Sequence, residues 1–512
     1  MQHDARRSLL RIELAWAGCI VATMVEEVAL AVYAFGDGGV SAVGVAALVR
    51  SLPAGLLGPL VAAHLSHHHP TRHMRITLVL RLTVLAAAAL VIAAGWPSWG
   101  VYALAGVGAT ALTVYWPAQT AMLPTAATTT DELTRANLVL TATEHGAALV
   151  GPAVAAGAIA LSGASAAFAV AAVVTAFGFA ASLGVLGGTG AVEAVGERSP
   201  FRGYAAVAAN RGARLLVGVF GTAFLCIGAV RVLVVPVAIE LVGLGDGGVG
   251  LLTAAIGVGG LAGTALSLQF AARRRLARPL VRMLLVWGMS TAAVLLVSNG
   301  TVAASLLVVT GAAVALLDLT ALTLLQRLVR DRDVDPVFAV AEGTSWVGIG
   351  IGGAIAAALA DRLGVRPTLG IVGAVLAVLA VGSAGALRRI DVRARYPEPQ
   401  IAALRAVHLF DRLPPLAFER LALDLVWLRF QPGDRIIGAG EPGDRFYMIH
   451  EGSALARTDE VEQSLGPGDW FGEIALLHDV PRTATVSATS DLVVLALDRH
   501  EFLAAITARG SP

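Results

Sequence analysis

The sequence predicts an α-helical membrane protein that carries a water-soluble α+β domain at its C-terminal end. The chain has 512 residues, of which 56% are hydrophobic and only 14% are charged. Its mean hydropathy is +0.75, and long apolar runs separated by short polar turns are typical of many membrane spans. After Arg395-Tyr396-Pro397-Glu398-Pro399 the charges become frequent and short alternating runs replace the long apolar ones, which indicates a soluble domain.

Twelve apolar runs are each close to the length that a bilayer requires. They cover residues 9–35, 40–64, 75–95, 99–124, 137–162, 165–188, 214–242, 247–271, 280–298, 302–328, 337–363 and 366–389. Arginines cluster in every second connection and are absent from most of the others, so the positive-inside rule places both termini in the cytoplasm. We therefore predict a six-helix half at 1–190, a cytoplasmic loop at 191–213, a second six-helix half at 214–390 and the soluble domain at 391–512.

The overall charge and the cysteines give no reason to expect a nucleic-acid-binding or a disulfide-bonded protein. A formal net charge of +1 gives no reason to expect a nucleic-acid partner. Cys19 and Cys226 lie inside apolar runs and predict small core residues, not a disulfide. The histidines between the second and third runs have no nearby cysteine or acidic residue, so we predict a protonatable loop and no metal site. We expect neither an enzyme nor a cofactor.

Ionisable residues deep in an apolar helix are expensive, which makes each one a functional candidate. Glu26 and Glu27 lie about 13 Å from the outer end of the first helix, and Arg50 lies about 15 Å from the outer end of the second. Their equal depth predicts a buried pair, and both a structural salt bridge and a proton-coupling role fit it. Arg231 in the seventh run and Asp318 in the tenth complete the predicted transport cavity.

Short motifs in both halves resemble one branch of a transporter superfamily. They are Tyr115-Trp116-Pro117-Ala118, Leu123-Pro124, Glu132-Leu133, Arg135-Ala136-Asn137, Gly151-Pro152, Leu324 to Val329, and Val337-Phe338-Ala339. Their order is similar to that of major facilitator superfamily exporters of the enterobactin and macrolide branch. The resemblance implies a twelve-span fold in two like halves with a substrate site near the midplane. Gly58-Pro59-Leu60 opens the loop motif of the superfamily, but Ser66 stands where an acid is expected.

The soluble domain reads as a helix followed by short strands and tight turns. Ile401 to Phe410 predicts an amphipathic helix, and Leu413-Pro414-Pro415 begins a second helix that we expect to end near Leu428. Strict alternation in Arg445 to His450 predicts a half-buried strand. The last predicted helix, Asp498 to Ala508, is short.

A phosphate-binding pattern lies near the end of the chain, in Phe471-Gly472-Glu473-Ile474-Ala475-Leu476-Leu477 and Pro481-Arg482-Thr483-Ala484. A helix N-terminus and one guanidinium suit a phosphate, because free N–H groups and the positive charge converge on its oxygens. The carboxylate of Glu473 repels phosphate and needs a hydroxyl donor beside it. A ribose closed onto its own phosphate offers both groups.

This pattern resembles the phosphate-binding cassette of cyclic-nucleotide-binding domains, and the surrounding β-roll likeness covers about 395–510. The resemblance implies Glu473 on the ribose 2′-OH, Arg482 on the cyclic phosphate, and backbone N–H donors at Gly472 and Ala484. Thr483 leaves both cAMP and cGMP open as the regulatory ligand. The predicted site is Phe471, Gly472, Glu473, Ile474, Ala475, Arg482, Thr483 and Ala484.

These patterns together predict a cyclic-nucleotide-regulated secondary transporter of the cell membrane, a proton-coupled exporter of a small molecule. Its partners would be the nucleotide, an unknown substrate and membrane lipid, with a homodimer possible. A membrane receptor for cAMP or cGMP that has lost transport is the alternative, since Ser66 departs from the loop motif. A cyclic-nucleotide-gated channel is a further one, although no Thr-Val-Gly-Tyr-Gly filter is present.

Overall fold

The computed structural model describes residues 2–65, 70–126, 130–185, 202–271, 275–329, 333–393, 398–410, 413, 418, 421–458 and 461–507. The chain divides into two compact units, Met1–Ala394 and Arg395–Pro512. Ser66, where the loop motif departs from the expected pattern, lies outside the described residues.

The first unit is helical throughout its described part. Its helices are α1 (Gln2–Leu65), α2 (Pro70–Ala93), α3 (Trp99–Ala126), α4 (Thr130–Leu183), α5 (Arg202–Ala209), α6 (Arg211–Pro236), α7 (Gly245–Ala271), α8 (Ala277–Ala293), α9 (Gly300–Leu328), α10 (Val334–Leu363) and α11 (Val365–Arg393). A π-turn at Val237–Leu241 extends α6, and a 3₁₀ turn at Val294–Leu296 extends α8.

Two of these helices are each two segments joined at a break. In α1 the break is at Gly38 and Gly39, and Gly39 has a φ of 64°. In α4 it is at Ser162 and Gly163, and Gly163 has a φ of 76°. Glycine is favoured at a positive φ because it has no Cβ. Both breaks coincide with polar turns that the sequence predicts between apolar runs.

Nine helices in the described ranges are long and apolar enough to cross a membrane by length and composition. Many of their large apolar side chains face outward, among them Leu161, which is 86% exposed, and Phe177, which is 72% exposed. Exposed apolar surface of this extent is unusual in a soluble protein.

Glycines let helices from the two predicted halves approach closely. A Cβ added to Gly250 of α7 would lie 2.5 Å from the carbonyl oxygen of Pro152 in α4. One added to Gly257 would lie 2.3 Å from the carbonyl oxygen of Ala148. Gly44 of α1 meets the Ala357 side chain of α10 in the same way, at 2.4 Å. Small residues at such crossings are typical of helices that pack in lipid.

The second unit contains two antiparallel four-stranded sheets. Its strands are β1 (Val426–Phe430), β2 (Arg435–Ile437), β3 (Arg445–Glu451), β4 (Ala454–Arg457), β5 (Glu462–Leu465), β6 (Trp470–Phe471), β7 (Thr485–Ala488) and β8 (Leu492–Asp498). The sheet orders are β1-β8-β3-β6 and β2-β7-β4-β5. Leu428 lies in β1, where it pairs with Val494, so the predicted helix end near Leu428 is wrong. The segment Val426 to Phe430 pairs with the long strand β8, and this pairing outweighs its local pattern.

Three short helices complete the unit: α12 (Glu398–Ala406), α13 (Glu473–Leu477) and α14 (Arg499–Thr507). A 3₁₀ turn at His408–Phe410 follows α12. Leu404, Phe410 and Phe446 belong to one buried cluster with Phe502 of α14 and Leu476 of α13. The phosphate-binding segment and the first helix of the unit therefore share one hydrophobic core.

Candidate functional site

The predicted cassette forms a loop between β6 and β7, with α13 at its start. Gly472 lies between β6 and α13 and has a φ of 93°. A Cβ at this position would lie 2.7 Å from Nη1 of Arg482. Glycine is therefore required here by backbone conformation and by space.

Arg482 is buried, with 4% of its surface exposed, and its guanidinium makes three hydrogen bonds. Nη1 donates to the Gly472 carbonyl oxygen at 2.8 Å, and Nη2 donates to the Arg445 carbonyl oxygen at 2.7 Å. Nη2 also lies 3.0 Å from Oδ1 of Asp444. These bonds hold the cation in one place, which lowers the ordering cost of binding an anion.

The ring of Tyr447 covers one side of this arginine, with its centroid 6.0 Å from the guanidinium carbon. Tyr447 stacks on Phe471 at a centroid distance of 5.1 Å. Burial, and next the Asp444 carboxylate, raises the pKa of the Tyr447 phenol above its ordinary value. The phenol therefore stays neutral near Arg482 and leaves the positive charge available.

Glu473 has a carboxylate oxygen, Oε2, that is buried and has no hydrogen-bond partner among the described residues. Leaving a buried acceptor unsatisfied costs about 1–3 kcal/mol, and more when it is charged. A hydroxyl donor from a bound ligand would satisfy it. The sequence analysis expects a ribose hydroxyl at this carboxylate.

All eight predicted cassette residues line one cavity of about 420 Å³. Its volume lies within the range typical of small-molecule sites, about 300–1,000 Å³. The far wall comes from the β4–β5 hairpin, with Thr458, Val461 and Gln463. The cavity thus joins a fixed cation, an unsatisfied acid and a wall of mixed polar and apolar residues, which suits a cyclic nucleotide.

The sequence analysis missed the partner of Arg482. Asp444 appears in the sequence only as the last residue of the turn Glu441-Pro442-Gly443-Asp444, a pattern that signals a turn and no site. The pairing of β3 with β6 brings this turn to the cassette. The carboxylate of Asp444 bonds Arg482 and makes no hydrogen bond within its own turn among those of the described residues. An acid at a turn can therefore belong to a site.

The five predicted cavity residues of the first unit separate into three groups. Glu26 is fully buried, and its Oε2 lies 2.8 Å from Nη1 of Arg81 in α2. Arg81 also donates to Thr23 Oγ1 at 3.0 Å. The predicted pair between Glu26 and Arg50 is therefore wrong, because helix depth alone does not identify the facing helix, and Arg81 was missed.

Glu27, Arg50 and Arg231 line one small cavity of about 80 Å³. Oε1 of Glu27 lies 2.5 Å from Nη1 of Arg231, so this ion pair joins α1 to α6. Arg50 is 5% exposed, and its guanidinium lies 5.9 Å from the centre of the Trp346 ring. Glu27, the other acid predicted to pair with Arg50, thus forms its ion pair with Arg231.

Asp318 does not line this cavity. It interacts electrostatically with Glu342 of α10, and Glu144 of α4 does the same. Oε1 of Glu342 accepts a hydrogen bond from Trp346 Nε1 at 2.9 Å. The sequence analysis did not identify Glu342 as a candidate.

Comparisons with known proteins match the second unit. The family described as "Cyclic nucleotide-binding domain" matches residues 427–509. A cAMP-dependent protein kinase regulatory subunit of Hypocrea atroviridis is 41% identical over 100 residues, which is 19% of this chain and 22% of that protein. The one of Dictyostelium discoideum is 38% identical over 112 residues, which is 20% of this chain and 32% of that protein.

Among solved structures, the regulatory domain of Toxoplasma gondii PKA with cAMP is 27% identical, with a TM-score of 0.22. The match covers 25% of this chain and 51% of that one. The chain spans less than a third of the length of either curated relative named above. Residues 427–509 of this chain are a cyclic nucleotide-binding domain.

Proposed function

We propose that this protein is a membrane transporter whose activity is regulated by cAMP bound to its C-terminal unit. The observation that carries the regulatory part is that Arg482 and the unsatisfied oxygen of Glu473 belong to the lining of one cavity. The names of relatives with 38–41% identity favour cAMP over cGMP. Thr483 lines the same cavity and leaves cGMP as the second candidate ligand.

The transporter part is supported by the helices of the first unit. The nine long apolar helices include two that are broken once each, and α3 adds a further apolar segment. These make about twelve segments, the number expected of two six-helix halves. The Arg pattern of the connections favours cytoplasmic termini in the cell membrane.

The Glu27–Arg231 ion pair supports a site between the halves. It joins the first helix of one predicted half to the first helix of the other, where substrate sites of such transporters lie. A carboxylate in this position is suited to gain and lose a proton during the cycle. We therefore propose proton-coupled export of a small molecule.

Coupling between the units requires that nucleotide favour one transporter state over another. The buried cluster of Leu404, Phe410, Leu476 and Phe502 gives the cassette a packed connection to α12. Residues 394–397 connect α12 to α11 in the sequence. Movement of the cassette on binding the cyclic phosphate would thus be passed to α12.

The test is uptake of radiolabelled candidate substrates by proteoliposomes under an imposed proton gradient, with and without cAMP. We expect flux that depends on the gradient and changes severalfold with cAMP. The matched control is the Arg482→Ala variant, whose flux should not respond to cAMP. Saturable cAMP binding with no flux would favour a receptor, and a cAMP-dependent ionic current would favour a channel.

A further inference from the structure

The cavity that Glu27, Arg50 and Arg231 line carries an excess of positive charge. These three are its only ionisable lining residues among those that the structure describes, one acid against two arginines. The remaining wall is mostly valine, leucine, isoleucine and alanine. Within apolar walls a charge is poorly screened, so the sign of this excess determines what can enter.

Arg50 is the source of the excess. Oε1 of Glu27 is bonded to Arg231, and the charge of Arg50 acts on Glu27 only at longer range. Within the described chain Arg50 has neither an ion pair nor a hydrogen bond. Its Nε is buried without a partner. The ring of Trp346 lies 5.9 Å away, and such a contact offsets only part of the cost of burying a cation.

A buried arginine without an ion-pair partner is costly, because burial removes the water that would otherwise solvate its charge. A bound anion would remove this cost by forming two parallel hydrogen bonds with the guanidinium. The cavity of about 80 Å³ equals the liquid volume of about two to three water molecules. It therefore has room for a carboxylate but not for a whole drug-sized molecule.

We infer that Arg50 binds the anionic group of the transported substrate, a small organic acid with an apolar or aromatic body. This inference rests on the proposed transport function, to which it adds the charge class of the substrate. Glu27 and Arg231 neutralise each other beside Arg50 and leave one positive charge for one carboxylate. Trp346 lies against the same guanidinium but does not line the cavity.

Three acidic residues, one of them in α10, point to the opposite charge class. Glu342 precedes Trp346 by one helical turn and interacts with Glu144 and Asp318. None of these three carboxylates lines the cavity of Arg50. A cationic substrate held by them is the competing outcome, so the experiment must include a cation.

Benzoate, benzamide and benzamidine provide nearly isosteric probes of charge −1, 0 and +1. Binding of each to the purified full-length protein in detergent is measured by calorimetry. We expect benzoate to bind at least about tenfold more tightly than benzamide, and benzamidine to bind most weakly. In Arg50→Gln the advantage of benzoate should disappear, and in Arg50→Lys most of it should remain.

The matched control is Arg362→Gln, which removes an exposed arginine near the end of α10 that does not line this cavity. It should leave all three affinities unchanged. If Arg50→Gln fails to fold, the affinities of the three probes for the natural protein and for Arg50→Lys still test the inference. Three outcomes would each overturn the inference. They are tighter binding of benzamidine than of benzoate, no saturable benzoate binding, and a benzoate advantage that persists in Arg50→Gln.

These measurements need no flux, so they separate the two proposals. Arg50-dependent benzoate binding in a protein that transports nothing would support the anion site and remove the transporter. Proton-driven flux of a cationic compound, with no charge preference that depends on Arg50, would support the transporter and remove the anion site.

Discussion

Nη2 of Arg482 lies 3.0 Å from Oδ1 of Asp444, a residue 38 positions earlier in the chain. The arginine is almost fully buried, whereas the aspartate side chain is 71% exposed. The exposed aspartate therefore helps to fix the direction of the buried guanidinium. Its electrostatic contribution to stability is small, because solvent screens the exposed partner.

Replacing Arg482 by alanine should remove most of the affinity for cAMP. Hydrogen bonds to a charged group contribute about 1.5–3 kcal/mol each, so the loss of two such bonds to phosphate predicts a decrease of at least about 100-fold. Calorimetric titration of the full-length protein measures it. Arg435→Ala is the control, since Arg435 is 65% exposed and pairs with Glu441. Equal affinity in the natural protein and in Arg482→Ala would refute the phosphate assignment.

Asp444→Asn should weaken cAMP binding by a smaller factor, about threefold to tenfold. The two bonds from Arg482 to the carbonyl oxygens of Gly472 and Arg445 remain, so the guanidinium keeps its place but loses one restraint. The matched control is Asp498→Asn, which removes an exposed carboxylate bonded to Arg445. A loss as large as that of Arg482→Ala would mean that Asp444 itself is essential to the site.

Glu473 should distinguish cAMP from its 2′-deoxy analogue. If Oε2 accepts the ribose hydroxyl, the natural protein should bind cAMP about 10- to 100-fold more tightly than 2′-deoxy-cAMP. In Glu473→Gln this ratio should decrease toward one. Competition titration with a fluorescent cyclic nucleotide measures both ligands. The same ratio in both proteins would exclude the ribose contact.

The Glu26–Arg81 pair should behave as a structural element of the first unit. Both side chains are almost completely buried, at 1% and 0% exposure, so Arg81→Met should lower the free energy of unfolding by about 3–5 kcal/mol. The double variant Glu26→Leu/Arg81→Met should recover most of that loss, because no charge is then left unpaired. Thermal unfolding in detergent measures both. A double variant that is stable but without flux would assign the pair to transport instead.

Gly257→Ala should destabilise the contact between α4 and α7, because its Cβ would lie 2.3 Å from the Ala148 carbonyl oxygen. Overpacking of this kind costs about 1–3 kcal/mol. Gly260→Ala on the same helix is the control, since nothing lies within 4 Å of its Cβ, and alanine is the better helix former. The melting temperature should decrease in the first variant and stay equal or increase in the second. If both variants melted at the temperature of the natural protein, the close contact at Gly257 would not contribute to stability.

The sequence predicted the apolar helices well because each needs only a local pattern of length and composition. The breaks at Gly39 and Gly163 fall where the polar turns predicted them. The partner of Glu26 could not be predicted from such local patterns. Depth along a helix follows from residue number, but the face that a side chain presents, and the helix opposite it, depend on packing.

The same distinction applies to the second unit. The cassette is contiguous in sequence, so all eight of its predicted residues lie in one cavity. Asp444 reaches it only through strand pairing, and Leu428 becomes part of a strand only because β8 lies beside it. Contacts between distant segments are thus the part of the site that a single sequence does not reveal.

Cys19 and Cys226, the two cysteines of the chain, are both free and buried, with 0% and 1% of their surfaces exposed. Thiol-reactive dyes and spin labels need an accessible sulfur, so the natural protein should give a low labelling background. A single cysteine introduced at an exposed position of α12 would therefore carry a spectroscopic reporter without prior removal of native thiols. Such a reporter would follow the response of this helix to nucleotide in real time.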